Sequence, residues 1–254
     1  MFGDPLWNLP DPIEADEGQD LLGVGGDLDA STLLYGYRHG LFAMHLHPDD
    51  IPRHLRPEGD VVGWWSPDPR GVIVPSDVIV SRSLWRSMKH FRVSVDTVFD
   101  QVVAGCADPS RPHGWITADY VDAYNVLHDA GYAHSIEVWD YSPGGDSSTL
   151  AGGLLCVEAE GLVAAESKFH RVTDASKTAV VALAGLLERG GSGRLIDVQW
   201  WTEHLGTLGA SELPRDEYLE WVSHLGEFGP ALSGLGLERF PARQLWPSGP
   251  ASRV

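Results

Sequence analysis

The second half of the chain carries the clearest alternation of apolar and polar positions. Apolar runs separated by turn residues predict three consecutive antiparallel strands, and a helical spacing that starts after Asp174 and stops at Gly190 predicts a helix. A short apolar run then predicts one more strand. The predicted elements are strands at 133–141, 150–158 and 162–166, a helix at 175–189 and a strand at 194–199. This order predicts an α+β chain with a mixed sheet.

The first part of the chain is less periodic. Residues 1–20 are rich in Pro and Asp, which predicts an extended arm that lies on the rest of the molecule. Asp29 or Ser31 can cap a short amphipathic helix. Pro67 and Pro69 then mark a hinge into a second domain. We therefore expect a small N-terminal domain, residues 1–66, and a second domain, residues 67–254.

Composition narrows the class of protein. With 254 residues and 43% hydrophobic content, the chain can form a real core. It has no uncharged apolar run of about 18 residues, which argues against a transmembrane helix. Its N-terminus lacks the basic start and apolar middle of a signal peptide. With Cys106 and Cys156 as its two cysteines, we expect a cytoplasmic protein.

The charge is strongly negative, with one local exception. The chain has 18 Lys and Arg against 36 Asp and Glu, which disfavours non-specific binding to polyanions and favours a cationic partner such as a basic peptide. The exception is a helix predicted after Ser81, where the spacing i, i+4 and i+7 places Arg82, Arg86 and Lys89 on one face. Charge alone does not decide between a nucleic-acid contact and a solvated helix face.

Two acidic side chains and one amide mark the candidate site. Glu166 ends one predicted strand, whereas Asp197 and Gln199 share a face of another because strand side chains alternate. If the two strands are neighbours, the three groups converge, and carboxylates in apolar strands are often functional because their burial is costly. The alternatives are structural: Glu166 could cap the next helix, and Asp197 could pair with Arg194 or Arg171.

Two other motifs are weak. His45, His47 and His54 lie in a Pro-rich stretch without a suitably spaced Cys or Glu pair, so we predict no metal site there. The glycines of residues 23–26 lack the spacing and the preceding strand of a dinucleotide-binding loop. Neither motif points to a bound metal or dinucleotide.

The order of elements looks like the core of the acetyltransferase-like fold, in which a helix that follows a central strand lies beside the cofactor groove. Enzymes of that kind that use acyl-CoA need a glycine-rich turn where strand meets helix, so that backbone N–H groups can approach the pyrophosphate. The link in this chain, residues 167–174, contains no glycine. The sequence therefore disfavours CoA as a cofactor.

Seven short motifs occur in order along the chain. They are residues 22–28, 65–70, 114–117, 133–139, 166–167, 175–178 and 195–199. Together they resemble the motif series of bacterial leucyl/phenylalanyl-tRNA-protein transferases. A single motif would carry little weight, whereas seven in sequence are highly specific.

The resemblance implies a cytoplasmic enzyme of the N-degron pathway, which moves Leu or Phe from aminoacyl-tRNA onto a protein whose N-terminal residue is Arg or Lys. The implied fold is α+β, with a small N-terminal α/β domain followed by an acetyltransferase-like (GNAT-like) mixed-sheet catalytic domain. No metal, no cofactor and no membrane partner are implied. The face of Arg82, Arg86 and Lys89 matches the family's basic helix, which favours contact with tRNA phosphates.

Glu166, Asp197 and Gln199 match the residues that the family assigns to its active site. Aminolysis of an aminoacyl ester is downhill, so the enzyme mainly positions an amine and manages a proton. We hypothesise that Asp197 hydrogen-bonds the attacking α-amine and that Gln199 aligns it. Both carboxylates would also favour a nearby Arg or Lys side chain.

The expected amino-acid pocket is apolar, since it must select Leu or Phe. By family position, Leu154, Ile196 and Phe169 are candidates for its wall, with ordinary core packing as the alternative for each. Lys168 stands where an apolar residue is usual, which changes the expected shape of this pocket.

The terminal adenine of tRNA needs a flat apolar partner. Trp115, at a helix entrance, suits such stacking, with a core role as the alternative. Met44 stands where the family commonly has an adenine-stacking tryptophan. The contact would then come from Met44, from His45, or from Trp64 or Trp65.

Two other functions stay open on the sequence. One is an N-acetyltransferase that uses acyl-CoA, which the missing glycine turn disfavours. The other is a non-enzymatic module that holds basic N-termini on the acidic surface, which would bind such peptides without extending them.

Overall fold

A computed structural model describes residues 2–3, 5–46, 61–111, 114–191, 193–226, 228–235, 238–246 and 249–251. The helices are α1 (Ala30–Arg38), α2 (Arg82–Met88), α3 (Phe99–Cys106), α4 (Ala118–Asp129), α5 (Ala175–Arg189), α6 (Glu203–Gly206) and α7 (Arg215–Leu225). The strands are β1 (Leu21–Val24), β2 (Phe42–His45), β3 (Val62–Trp65), β4 (Arg70–Ile73), β5 (Phe91–Val95), β6 (Ala133–Asp140), β7 (Leu150–Ala159), β8 (Leu162–His170), β9 (Leu195–Gln199), β10 (Ser211–Leu213) and β11 (Phe240–Pro241). Short 3-10 helices lie at Pro12–Glu14, Pro75–Asp77 and Ala242–Leu245.

The N-terminal part of the chain forms a small antiparallel sheet in the order β1-β3-β2. The indole of Trp64 on β3 is buried and donates to the backbone oxygen of Gly25 at 2.9 Å. Helix α1 approaches the same indole through Gly36, where an added Cβ would lie 2.8 Å from the Trp64 ring. The small sheet and α1 are therefore held together around one tryptophan.

The N-terminal arm lies on the rest of the molecule, as predicted. The buried guanidinium of Arg215, at the start of α7, donates to the backbone oxygens of Asp16, Gln19 and Ser66. A hydrogen bond from the Trp200 indole to Asp20 adds a second attachment, at 3.1 Å. These contacts tie the arm to residues far along the chain.

The larger sheet has eight strands in the order β10-β4-β9-β8-β7-β6-β5-β11. Its neighbouring strands are antiparallel except β8 and β9, which run parallel. Helix α5 makes the crossover between these two, as a parallel pair requires. The prediction of an α+β chain with a mixed sheet is therefore confirmed.

Each face of the larger sheet packs against a different set of helices. On one face lie α5 and α2, with Leu154, Leu183 and Met88 among the buried side chains. On the other face lie α1, α3, α4 and the small sheet, with Val102 and Tyr124 in a second buried cluster. The two sheets thus share a core on this second face.

Strand β8 is longer than the sequence predicted, because residues 167–170 continue it instead of forming a link to α5. Its pairing with β9 is short and is last recorded at Ala164 opposite Asp197. On the other side, the register with β7 shifts between Ala165 and Ser167, so Glu166 sits at an irregularity of the ladder. Such irregularities redirect a side chain locally, and this one lies where β8 and β9 part.

The helix starts were only partly predicted. Ser81 caps α2, since its Oγ accepts from the Leu84 amide at 3.2 Å. Asp174 precedes α5 as predicted, but its side chain makes no capping bond. Its Oδ2 instead accepts from Ser87 Oγ at 2.6 Å. The contact places α2 directly beside the beginning of α5.

Candidate functional site

The structure brings the predicted carboxylates and amide together where β8 and β9 part. Gln199 ends β9 with a positive φ of 61°, which turns its side chain toward β8. Its Nε2 lies 3.4 Å from Glu166 Oε1, and its backbone N–H donates to Asp197 Oδ1 at 2.9 Å. Gln199 therefore links the two carboxylates through its side chain and its backbone.

Asp197 is fully buried and faces a guanidinium. Arg70 Nε donates to its Oδ1 at 2.9 Å and Arg70 Nη2 to its Oδ2 at 2.6 Å. The Tyr218 hydroxyl donates to Oδ2 at 2.9 Å. Together with the Gln199 amide, these donors fill the acceptor capacity of a carboxylate. The hypothesised contact between Asp197 and an incoming amine does not fit this arrangement.

Arg70 is as deeply buried as its partner. Its guanidinium carbon lies 4.8 Å from the centre of the Phe42 ring and 4.6 Å from that of Tyr218. Its Nη1 donates to the backbone oxygen of Gly40 at 3.2 Å. The pair therefore joins β4 and β9 to the small sheet and α7.

The sequence named the wrong partners for Asp197. Arg194 donates to the backbone oxygens of Gly190 and Gly229 instead. Arg171 donates to the backbone oxygen of Leu150. Both arginines lie close in sequence to the candidate site, whereas the actual partner lies 127 positions earlier on β4.

Glu166 occupies a different environment, made of phenols and an amide. The Tyr124 hydroxyl donates to its Oε2 at 3.0 Å. Burial raises the pKa of Glu166 to about 7, against hydrogen bonds from Tyr124 and Tyr37 that lower it. The charge of Asp197 raises it further. The alternative in which Glu166 caps α5 is wrong, because the residue lies within β8 and bonds to α4.

Burial also raises the pKa values of the surrounding phenols Tyr37, Tyr120 and Tyr124. These groups stay protonated and neutral at neutral pH. Among the residues that the structure describes, no ion pair involves Glu166. Its carboxyl group can therefore change protonation state near neutral pH.

The three candidates for the amino-acid pocket do not share one wall. Leu154 and Ile196 are fully buried in the cluster beneath α5. Phe169 belongs to the cluster on the opposite face, where its ring packs so closely on Gly105 of α3 that an added Cβ would lie 2.6 Å away. Phe169 therefore cannot complete a pocket with the other two, and this part of the prediction is wrong.

The candidates for adenine stacking also divide. The ring centre of Trp115 lies 5.0 Å from that of Tyr120, edge to face, and the His45 ring lies 5.1 Å from Tyr120. Met44 and His45 point to opposite faces of β2, because strand side chains alternate. Of the two, His45 therefore lies on the side of Trp115. His47 and His54 lie outside the described residues.

The two neighbouring tryptophans of β3 behave differently. Trp64 is buried and held by its bond to Gly25, so it is not free to stack on a base. Trp65 is half-buried and packs edge to face on Trp200, at 5.7 Å between ring centres. Trp200 directly follows Gln199, so this aromatic pair lies next to the linked carboxylates.

The predicted basic face of α2 is exposed. Arg82, Arg86 and Lys89 are open to solvent, whereas Leu84 and Met88 of the same helix are buried in the core. The basic side chains therefore point away from the protein. The Ser87 to Asp174 bond joins this helix to the start of α5.

Sequence reasoning missed the groups that define the two carboxylate environments. The sequence did not predict that Arg70 is buried, since arginine is rarely fully buried without a partner. Tyr37 and Tyr124 looked like ordinary apolar positions of α1 and α4. A useful signal would have been that both helices place a phenol, which needs a hydrogen-bond partner when buried, on their inward faces.

Two classes of feature are not found in the described part of the chain. None of its helices combines the length and the apolar character needed to cross a membrane. Its His, Cys, Asp and Glu side chains form no group of three or more that could hold a metal ion.

Comparison with known proteins gives a consistent family. A family model described as leucyl/phenylalanyl-tRNA protein transferase matches residues 72–223. Proteins named leucyl/phenylalanyl-tRNA-protein transferase are similar over most of the chain. The one from Oleidesulfovibrio alaskensis is 44% identical over 217 residues, which is 84% of this chain and 82% of that protein.

A relative of the same name from Citrobacter koseri is 42% identical over 212 residues, covering 83% of this chain and 82% of that protein. One from Escherichia coli is 40% identical over 211 residues, covering 82% of each. Among solved structures, L-PGS from Bacillus licheniformis aligns with a TM-score of 0.33 at 11% identity over 67% of this chain and 53% of that one, a likeness too weak to bear on the fold. The sequence matches show that this chain belongs to the leucyl/phenylalanyl-tRNA-protein transferase family.

Proposed function

We propose that this protein transfers a leucyl or phenylalanyl group from aminoacyl-tRNA to the N-terminal amine of an acceptor protein. The observation that carries the proposal is the Glu166 and Gln199 pair at the end of the parallel strands, in a chain of this family. A carboxyl group with a pKa near 7 beside an oriented amide suits a reaction that positions an amine and moves its proton.

In the proposed reaction, the α-amine attacks the ester carbonyl carbon of the aminoacyl group. The new C–N bond forms as the bond between that carbon and the ribose oxygen of tRNA breaks. Ionised Glu166 accepts a proton from the attacking amine and passes it to the leaving ribose oxygen, which ends as a hydroxyl while Glu166 returns to its ionised form. Gln199 aligns the amine through its side-chain amide.

Asp197 acts in this proposal as a positioning residue. Its Oδ1 holds the backbone N–H of Gln199, and its pair with Arg70 fixes the end of β9. This role replaces the direct contact with the amine that the sequence suggested, because its acceptor positions are already filled.

An acceptor with N-terminal Arg or Lys fits the charge of the protein. The formal net charge of -18 favours a cationic chain end. An ionised Glu166 would attract the same group locally. The aminoacyl side chain would contact the apolar core near Leu154 and Ile196, and the adenine would stack on Trp115 with His45 nearby. Arg82, Arg86 and Lys89 would contact tRNA phosphates.

The finer architecture belongs to the same proposal. We take the larger sheet as acetyltransferase-like (GNAT-like), supported by a parallel pair, β8 and β9, whose pairing is last recorded at Ala164 and Asp197. We place the domain boundary near residue 66, supported by the end of the small sheet at Trp65. A charged tRNA as substrate would place the enzyme in the cytoplasm.

The test is to mix the purified protein with leucyl-tRNA and a peptide that begins with Arg, and to weigh the peptide. We expect the mass of one added leucine residue, and none on a matched peptide whose N-terminus is acetylated. Peptide binding without extension would instead favour a non-catalytic module. Acetylation of the peptide with acetyl-CoA would favour an acetyltransferase. Either result, with no leucine transfer, would refute the proposed function.

A further inference from the structure

A cavity of about 540 Å³ lies along β8 just beyond Glu166. Five of its lining residues carry basic side chains: Arg111, Lys168, His170, Arg171 and His204. Asp108 is the acidic residue in the same lining. In a chain with a formal net charge of -18, such a concentration of basic groups around one cavity needs an explanation.

The protein holds these basic groups in place. Arg111 Nη2 donates to the backbone oxygen of Lys168 at 2.7 Å, and its Nη1 donates to the backbone oxygen of Cys106 at 2.5 Å. The guanidinium of Arg171 lies 5.2 Å from the centre of the Phe169 ring. The cluster is thus built on the edge of β8 that no longer pairs with β9.

The basic groups of the cavity also disfavour one another's charge. Burial, followed by the charge of Arg111, lowers the pKa of Lys168. Burial and the charges of Lys177, Lys168 and His170 lower the pKa of His204. An anion bound in the cavity would relieve this repulsion.

The cavity extends from the end of β8, past Glu166, to the first turn of α5. Lys168 follows Glu166 by two residues along β8. At the other end, Ser176 of the first turn of α5 lines the cavity, and Asp174 bonds to Ser87 of α2. The cavity therefore reaches the start of α5, the helix that α2 contacts.

We propose that this cavity binds a backbone phosphate of the single-stranded 3′ end of the tRNA, with Lys168 and His170 as contacts. The inference rests on the proposed function and adds a second tRNA contact to the one on α2. An apolar Leu or Phe side chain would not select a cavity lined by cations, whereas a phosphate next to the terminal adenosine would.

The test compares uncharged tRNA with the same tRNA lacking its last three nucleotides, in binding to the wild-type protein and to the double variant Lys168→Met, His170→Ser. We expect the wild-type preference for the complete tRNA to fall about tenfold in the double variant. Its salt dependence should weaken by about 0.7 in log–log slope for each lost phosphate contact. Methionine suits this half-buried position, because it keeps the length and the aliphatic stem of the lysine side chain.

Two further variants make the result specific to the cavity. Lys168→Arg should keep most of the preference, since it keeps the charge. Arg38→Met removes one cation from a partly exposed pair with Glu160, 3.5 Å apart, and should leave the preference unchanged. A double variant that retains the wild-type preference and salt slope would overturn the proposal.

Competition with inorganic pyrophosphate distinguishes a cavity that binds a tRNA phosphate from one that binds a free anion. We expect it to weaken binding of the complete tRNA to the wild-type protein and to have little effect on the truncated tRNA. Equal binding of both tRNAs by the wild-type protein would overturn the proposal in favour of a free-anion site. These are binding measurements, so they give an answer whether or not leucine transfer occurs.

Discussion

Asp197 and Glu166 are two buried carboxylates on neighbouring strands, yet their surroundings differ in kind. Asp197 meets the guanidinium of Arg70 at 2.6 and 2.9 Å and is saturated with donors. Glu166 meets the phenol of Tyr124 and the amide of Gln199, and its pKa rises to about 7. Burial alone therefore does not decide what a carboxylate does; the charge of its partner does.

One of these carboxylates has a structural role, and the other is suited to proton transfer. A carboxylate paired with a guanidinium anchors several elements, but it has little capacity left for a substrate. A carboxylate surrounded by neutral donors remains close to its titration point and can exchange a proton. Gln199 joins the two, so that the anchored residue can position the reactive one.

The largest effect should follow from Asp197→Ala. The change leaves the Arg70 guanidinium buried without its partner, which should lower the free energy of unfolding by about 3–5 kcal/mol. Chemical denaturation near neutral pH measures this. The double variant Arg70→Met, Asp197→Leu should recover much of the stability but not the transfer activity. A single variant with unchanged stability would contradict the anchoring role of the pair.

Glu166→Gln should lower the transfer activity without lowering the free energy of unfolding. We expect leucine transfer to fall about 100-fold, because the amide cannot accept the proton. The pKa of Glu166 is raised from its usual 4.5 to about 7 in the folded protein. Between these values the folded protein binds more protons than the unfolded one, so this contribution to stability is lost as the pH rises to about 7.

Above pH 7 the ionised Glu166 should therefore cost stability, by up to about 3 kcal/mol. Glu166→Gln should raise the free energy of unfolding there and have little effect below pH 5. Thermal melts of both proteins across this range provide the measurement. A variant that is less stable than the wild type at pH 8 would mean that Glu166 is stabilised by its neighbours in its ionised form.

Neutralising the basic face of α2 should weaken tRNA binding and leave the chemistry of the carboxylates unchanged. The triple variant Arg82→Gln, Arg86→Gln, Lys89→Gln should raise the KM for leucyl-tRNA about tenfold and reduce the slope of its salt dependence. The dependence of transfer on pH should stay as in the wild type, because Glu166 is unaltered. An unchanged salt slope would show that these side chains form a solvated face without contact to tRNA.

Much of the secondary structure could be predicted from the sequence, because it depends on local patterns. The helix at Ala175–Arg189 was predicted with its observed limits, and the strand at Leu195–Gln199 was predicted one residue too long, from Arg194, since apolar periodicity and glycine stops are local signals. The end of β8 was missed: Ser167, Lys168 and His170 look like a polar link, and only the tertiary setting, with α3 and Arg111 on the strand edge, keeps them extended.

The candidate site was predicted less completely, and for a physical reason. That Glu166, Asp197 and Gln199 meet followed from strand alternation and from the resemblance to a family. Their partners did not, because hydrogen bonds to Arg70, Tyr124 and the other neighbours come from elements distant in sequence. The error over Phe169 has a related origin, since the irregularity at Glu166 reverses which face the next residues occupy.

The prediction with the smallest expected effect concerns the removal of a single phenol oxygen beside Glu166. Tyr124→Phe removes a hydrogen bond that lowers the pKa of this carboxyl group, so the pKa should rise above its present value of about 7, by about one unit. If kcat/KM depends on ionised Glu166, its rise with pH should move upward by the same amount, with the plateau activity reduced only a few-fold. Tyr120→Phe is the matched control, because the Tyr120 hydroxyl has no hydrogen-bond partner within the described residues, and it should leave the pH profile in place. Equal profiles for all three proteins would mean that Glu166 does not control the pH dependence of transfer.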